Sequence, residues 1–252
     1  MSVLVQNLTF RYRHFALRVE HLEFESARMT SIVGPNGAGK TTFLKCLTAI
    51  LPVAKGSLFI DGRDIGVMRE DERARLLAYV PQEHSSIFNY TVLDFILMGR
   101  AAYLPMFSTP SVKDVEIAQE ALDFVALGRY AAQPYFQLSS GERRLVLIAR
   151  ALAQKSDILV LDEPTSFLDP KHETEILELA KKLAAEKQKT VLVTLHNLDM
   201  AVKYSDAMVF MKQGQVVASG RPDDILDEAL LERVYEIKMS IIPYDGRKFI
   251  VK

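Results

Sequence analysis

Gly34, Gly37 and Gly39, three of the chain's 12 glycines, crowd the stretch 34–42, which reads GPNGAGKTT. The spacing satisfies the phosphate-loop pattern G-x-x-x-x-G-K-[ST]. Glycines let the backbone curl until successive amides surround a phosphate chain, and a following helix adds its positive end. Lys40 supplies a point charge and Thr41 an oxygen for Mg²⁺, so the natural ligand is a triphosphate. A second set of groups stands at 157–163, DILVLDE, an apolar run ending in two carboxylates. There Asp162 is placed to hold Mg²⁺ through water, and Glu163 to orient or deprotonate an attacking water.

Such groups work only if strands and helices hold them. Met29–Val33 is a short apolar, β-branched run, and after the glycines Phe43, Leu44, Leu47 and Ile50 form a helical stripe over 40–50. The glycines therefore join a strand to a helix. Residues 56–61 and 76–81 read as strands. From about 91 to 154 the pattern turns helical, with Val115, Ala118, Leu122 and Val125 on one face, then Leu145, Ile148, Ala149 and Leu152 on another. This predicts an inserted helical lobe. Strand–helix alternation resumes with 157–161, a helix over about 170–186, 190–195 and 207–211, and continuous apolar runs of this kind suit a buried parallel sheet. A helix start at 222–224, an amphipathic stretch to Ile237 and a strand pair around 244–246 complete the chain.

Composition removes other classes. The 252 residues are 49% hydrophobic and 25% charged, enough for one substantial core. With 31 Lys+Arg against 32 Asp+Glu the net charge is −1, so the basic field that drives non-specific nucleic-acid binding is missing. No stretch free of Asp, Glu, Lys and Arg exceeds the length of 101–112, well short of the ~20 residues of a membrane span. The start, MSVLVQNLTFRYRHF, lacks the pattern of a secretory signal, and the single Cys46 can form neither an internal disulfide nor a thiolate metal site alone. The expectation is a cytoplasmic protein with Cys46 in a helix core.

Residues 138–142, LSSGE, precede a helix, and here the chain resembles the ATP-binding-cassette (ABC) ATPases, whose signature LSGGQ precedes the Walker B strand by about this distance. The resemblance runs through nearly the whole chain. Gln82 after an apolar strand is similar to the Q-loop residue, Ser166-Phe167-Leu168-Asp169 to the D-loop, and His196 to the switch histidine. It implies the P-loop NTPase fold of that family, α/β with a mostly parallel core sheet, an antiparallel β subdomain and an inserted α-helical subdomain. On it the core comprises about 1–90 and 155–252 and the insertion about 91–154, all one ABC ATPase domain.

The resemblance also implies roles. Two chains pack head to tail, each ATP held by Gly34, Asn36, Gly37, Ala38, Gly39, Lys40, Thr41 and Thr42 of one copy and by Ser139 and Gly141 of the other. Thr41, Gln82 and Asp162 attend Mg²⁺, Glu163 polarises the attacking water as base or orienting residue, His196 contacts the γ-phosphate, Gln82 and His196 count with Glu163 as catalytic, and Asp169 links the two sites. Asp169 before Pro170 also suits a helix N-cap. Tyr12 resembles the aromatic that stacks on adenine, with Phe10, His14 and Phe15 beside it. Ser140 and Glu142 depart from the signature's usual Gly and Gln, and a positive φ at 140 would strain a serine.

Residues 82–110 resemble the stretch that receives the coupling helices of membrane subunits in metal-chelate importers, the branch carrying ferric siderophores, haem and vitamin B12. Phe88 and Tyr90 would form that surface, or else belong to the lobe's core. The 32 residues after Gly220 are too few for the extra β-barrel domain of sugar-type importers. The resemblance thus implies a cassette on the inner face of the cell membrane, partnered by integral membrane permease subunits and indirectly by a substrate-binding protein. The alternative from another class is a soluble ABC ATPase serving a scaffold such as iron–sulfur cluster assembly.

Overall fold

The computed structural model describes residues 1–82, 89–105, 108–244 and 247–251. Its strands are β1 Val3–Arg11, β2 Ala16–Phe24, β3 Met29–Val33, β4 Leu58–Ile60, β5 Arg63–Asp64, β6 Leu77–Val80, β7 Ile158–Leu161, β8 Thr190–Thr194, β9 Ala207–Lys212, β10 Gln215–Gly220, β11 Ser240–Tyr244 and β12 Arg247–Val251. The helices are α1 Lys40–Leu47, α2 Glu70–Leu76, α3 Val92–Leu97, α4 Val112–Phe124, α5 Ser140–Ala153, α6 Pro170–Lys187, α7 Leu198–Tyr204, α8 Pro222–Ile225 and α9 Glu228–Tyr235.

Ten strands form one sheet in the order β5-β4-β1-β2-β10-β9-β3-β8-β7-β6, and β11 and β12 pair separately. From β9 to β6 every pairing is parallel, whereas β5, β4, β1 and β2 pair antiparallel. The parallel and antiparallel parts expected from the sequence are thus continuous, joined where β10 runs antiparallel to β9 and touches β2 at Gln215–Arg18. Burial follows the chemistry of each part. Strands β3, β7 and β8 are buried along their whole length because helices cover both faces. In β1, by contrast, Val3, Val5 and Leu8 point inward between more exposed neighbours.

Apolar side chains divide into two clusters. One unites α3, α4 and α5 with α6 and one face of the parallel strands, and the other packs Phe43, Leu44, Cys46 and Leu47 of α1 against β1, β2 and β4. Cys46 is buried in the second, where burial pushes its thiol up to about 12.

The helical stripe of 40–50 ends early. Helix α1 stops at Leu47, Ala49 takes a left-handed φ of 51° and Ile50 is exposed. Val115 is also partly exposed, while Ala118 and Leu122 of the same stripe are fully buried. The termini of α4 and α5 carry reciprocal capping boxes, Ser111 with Asp114 and Ser139 with Glu142. Asp114 also receives Arg100 Nε at 2.9 Å, and Arg100 Nη1 donates to the Ala153 carbonyl at 2.7 Å, tying the start of α4 to the end of α5.

Candidate active site

Sheet order assembles the site. Strands β3, β8, β7 and β6 lie side by side, and the segments leaving their C-terminal ends carry Gly34, His196, Asp162 with Glu163, and Gln82 respectively. Ligands of parallel α/β sheets settle outside such strand ends.

The glycines of the phosphate loop answer to different needs. A Cβ on Gly34 would lie 2.1 Å from the Met211 carbonyl oxygen, so close backbone approach demands glycine there. Gly39 has φ 98°, and a Cβ on it would meet Phe15 Cζ at 2.5 Å. The Phe15 ring therefore rests directly on the loop. A cavity of about 290 Å³ is lined by Tyr12, Phe15, Asn36, Gly37, Ala38, Gly39, Lys40, Thr41, Thr42 and Glu163. Tyr12 is half exposed and meets Phe10 edge to face at 4.8 Å.

Lys40 turns back into the loop, donating from Nζ to the carbonyls of Gly34 at 2.8 Å and Pro35 at 3.2 Å. Burial lowers its pKa, and the charges of Glu163 and Asp162 oppose that shift. A buried ammonium held on neutral carbonyls is poised for an anionic ligand.

Asp162 is held by three hydroxyls. Thr41 Oγ1 donates to its Oδ1 at 3.1 Å, Thr194 Oγ1 to Oδ1 at 2.8 Å and Tyr79 OH to Oδ2 at 3.0 Å. Burial first, then Asp162, raises the Tyr79 phenol's pKa, which keeps it a donor. Glu163 has a left-handed φ of 45°, and its amide donates to Thr194 Oγ1 at 2.7 Å. Its carboxylate gathers three partners, with Gln82 Nε2 donating to Oε2 at 2.5 Å, Ser166 Oγ to Oε2 at 3.0 Å, and His196 Nε2 lying 2.5 Å from Oε1. Gln82 and His196 thus both meet at Glu163.

Ser139, Gly141 and Asp169 lie apart from the cavity around Lys40. Ser139 is the N-cap of α5 and is exposed, with its amide and Oγ both donating to Glu142 Oε2 at 2.8 Å. Those hydrogen bonds lower the Glu142 pKa. Ser140 begins the helix and is absent from the positive-φ positions, so serine costs no backbone strain there. Asp169 does cap α6, accepting from the amides of Lys171 and His172 at 3.0 and 3.1 Å. Tyr90 is partly buried against the core of the helical layer, in keeping with the core alternative, and Phe88 lies outside the described residues.

Ser166 is marked in the sequence only within the D-loop run and Phe15 only as a neighbour of Tyr12, while Tyr79 and Thr194 take part without having been singled out from the sequence. Arg144 is another, its guanidinium donating to the carbonyls of Pro81 at 2.8 Å and Gln82 at 2.5 Å and so fastening α5 to the segment carrying Gln82. A hydroxyl or an arginine in an otherwise apolar strand or helix shows no target until the strands are set side by side.

Comparison with known proteins agrees with this geometry. The family model described as ABC transporter matches residues 17–166. The ferric enterobactin transport ATP-binding protein FepC of Escherichia coli is 33% identical over 98% of this chain and 92% of its own. Among solved structures, an inward-facing ABC transporter assigned to the metal-chelate type superposes with a TM-score of 0.86 at 29% identity, covering 99% of this chain and 96% of that one. The cassette MJ0796, in a dimeric post-hydrolysis state bound to ADP and Pi, superposes with a TM-score of 0.73 at 28% identity over 87% of this chain and 98% of that one. With the phosphate loop, paired carboxylates and capped signature helix on one scaffold, the chain belongs to the ABC transporter family as its ATP-binding, ATP-hydrolysing cassette.

Proposed function

We propose that this cassette powers import of a metal chelate, such as a ferric siderophore, haem or vitamin B12, by closing head to tail on a second copy of itself around ATP. The observation that carries the catalytic part is the convergence of Gln82, Ser166 and His196 on Glu163, beside Asp162 and the phosphate loop. The likeness to FepC and to the metal-chelate type transporter supports the cargo class and does not favour the scaffold-serving alternative.

In this reading Lys40 exchanges its loop carbonyls for phosphate oxygens, and the amides from Asn36 to Thr42 follow the phosphate chain. The oxygens of Thr41, Gln82 and Asp162 suit Mg²⁺, a hard cation that in such sites keeps waters and takes its remaining ligands from phosphates. When bound, Mg²⁺ would neutralise phosphate charge. Glu163 polarises the attacking water, while Gln82 and His196 hold its carboxylate; Gln82 would also help to hold Mg²⁺, and His196 would contact the γ-phosphate. Ser139 and Gly141 meet the γ-phosphate of the partner's ATP, Asp169 links the two sites, and Tyr12 stacks on adenine. Residues 91–154 form the helical subdomain and the rest the core. The protein sits on the inner face of the cell membrane against permease subunits, which receive cargo from a substrate-binding protein.

Glu163→Gln removes the base and keeps the shape. It binds Mg-ATP, forms an ATP-stabilised dimer and loses at least about 100-fold in turnover. Near-normal hydrolysis would overturn the assignment. Tagged Glu163→Gln with Mg-ATP, purified from detergent-solubilised native membranes, brings down a stoichiometric polytopic membrane protein; a soluble partner alone would refute the transporter reading.

A further inference from the structure

Helix α6 is capped by Asp169, and three residues on His172 faces two ways. Its Nδ1 lies 2.5 Å from Asp169 Oδ2, while its backbone amide donates to Asp169 Oδ1 at 3.1 Å. The same ring packs flat on the signature helix, where a Cβ at Gly141 would lie 2.4 Å from His172 Cδ2 and 2.9 Å from Nε2. Any side chain at Gly141 would therefore have to displace the His172 ring of its own subunit. The φ of Gly141 is not in the left-handed region. The acceptor at Nδ1 is a carboxylate, so the proton sits on Nδ1 and the ring is fixed in one orientation.

Asp169 and Gly141 belong to different elements, yet both are groups that the proposed head-to-tail dimer turns toward its partner. Two loosely joined loops would each have to be ordered when the dimer closes, at a cost in conformational entropy. We propose that His172 is a positioning residue that clamps the Asp169 loop to the signature helix, so that both dock on the partner's ATP as one preformed surface. The inference rests on the dimer reading given above.

The test uses the full chain in the Glu163→Gln background, measuring ATP-dependent dimerisation by light scattering and monomer ATP affinity with a fluorescent ATP analogue, and the otherwise unaltered chain for turnover. His172→Ala weakens dimerisation roughly tenfold and lowers kcat, with monomer ATP affinity and KM within about twofold of the parent. His172→Asn, whose amide nitrogen replaces Nδ1, restores most of the loss. His172→Phe, which keeps a ring on Gly141 without the hydrogen bond, does not. Parental dimerisation and kcat in His172→Ala, or full rescue by His172→Phe, would overturn the clamp. Failure of Glu163→Gln itself to dimerise with ATP would instead sink the reading beneath it.

Discussion

Glu163 illustrates how a single carboxylate is held by several weak devices. Its left-handed φ of 45° turns the chain sharply at the end of β7, its amide is fixed by Thr194, and its oxygens are shared among Gln82, Ser166 and His196. Strained backbone at such a place persists because the surrounding bonds over-determine it. The phosphate loop shows the same economy with Phe15, whose ring covers Gly39 and lines the cavity beside Tyr12. Phe15→Ala therefore opens the floor of that cavity. Expected is a rise in KM for ATP of about tenfold with kcat nearly constant, measured by steady-state hydrolysis. An unchanged KM would leave Phe15 a packing residue only.

Among the elements, the join between α4 and α5 carries the clearest pH signature. Asp114 is held down to about 2, first by the Ser111 hydroxyl and then by Arg100. Its folded-state value lies below the unfolded one of about 3.9, so its contribution is fully present above about pH 5 and lost as pH falls toward 2. Asp114→Asn lowers the Tm at neutral pH, and the Tm difference between variant and parent shrinks steadily from about pH 5 to pH 2.5. A difference that stays constant over that range would show that the carboxylate's charge contributes nothing. Helix α5 is fastened in a second way. Arg144 grips the carbonyls of Pro81 and Gln82, so this helix is bonded to the segment carrying Gln82, whose amide rests on Glu163.

On the scale of the molecule, one sheet supports two cores, and the proposed catalytic groups lie at the ends of four of its five adjacent parallel strands. Cys46 reports on the core beneath α1. Its thiol, pushed up to about 12 by burial, is protonated at pH 8 and shielded from reagent. A thiol reagent at pH 8 thus labels the native chain at least about 100-fold more slowly than the chain in denaturant. Equal rates would mean that α1 opens freely without ATP.

Much of the candidate site is legible in the sequence, because its groups come in short runs whose spacing is fixed by local geometry. The phosphate loop needs glycines at set positions, Asp162 and Glu163 need an apolar strand before them, and a serine with a glutamate three residues on announces the capped start of α5. The strand order was not legible, since period-2 and continuous apolar patterns say that strands are buried but not which neighbour each takes. Nor was the extent of α1, where a left-handed residue at Ala49 ended a stripe that side-chain spacing alone would have continued. Only the tertiary structure set Thr194 and Tyr79 on Asp162, joined three partners to Glu163 and laid His172 on Gly141. Apart from Ser166 on Glu163, which is local, these contacts join residues distant in the chain or on different elements, and burial of the sheet and helices, not local spacing, brings them together.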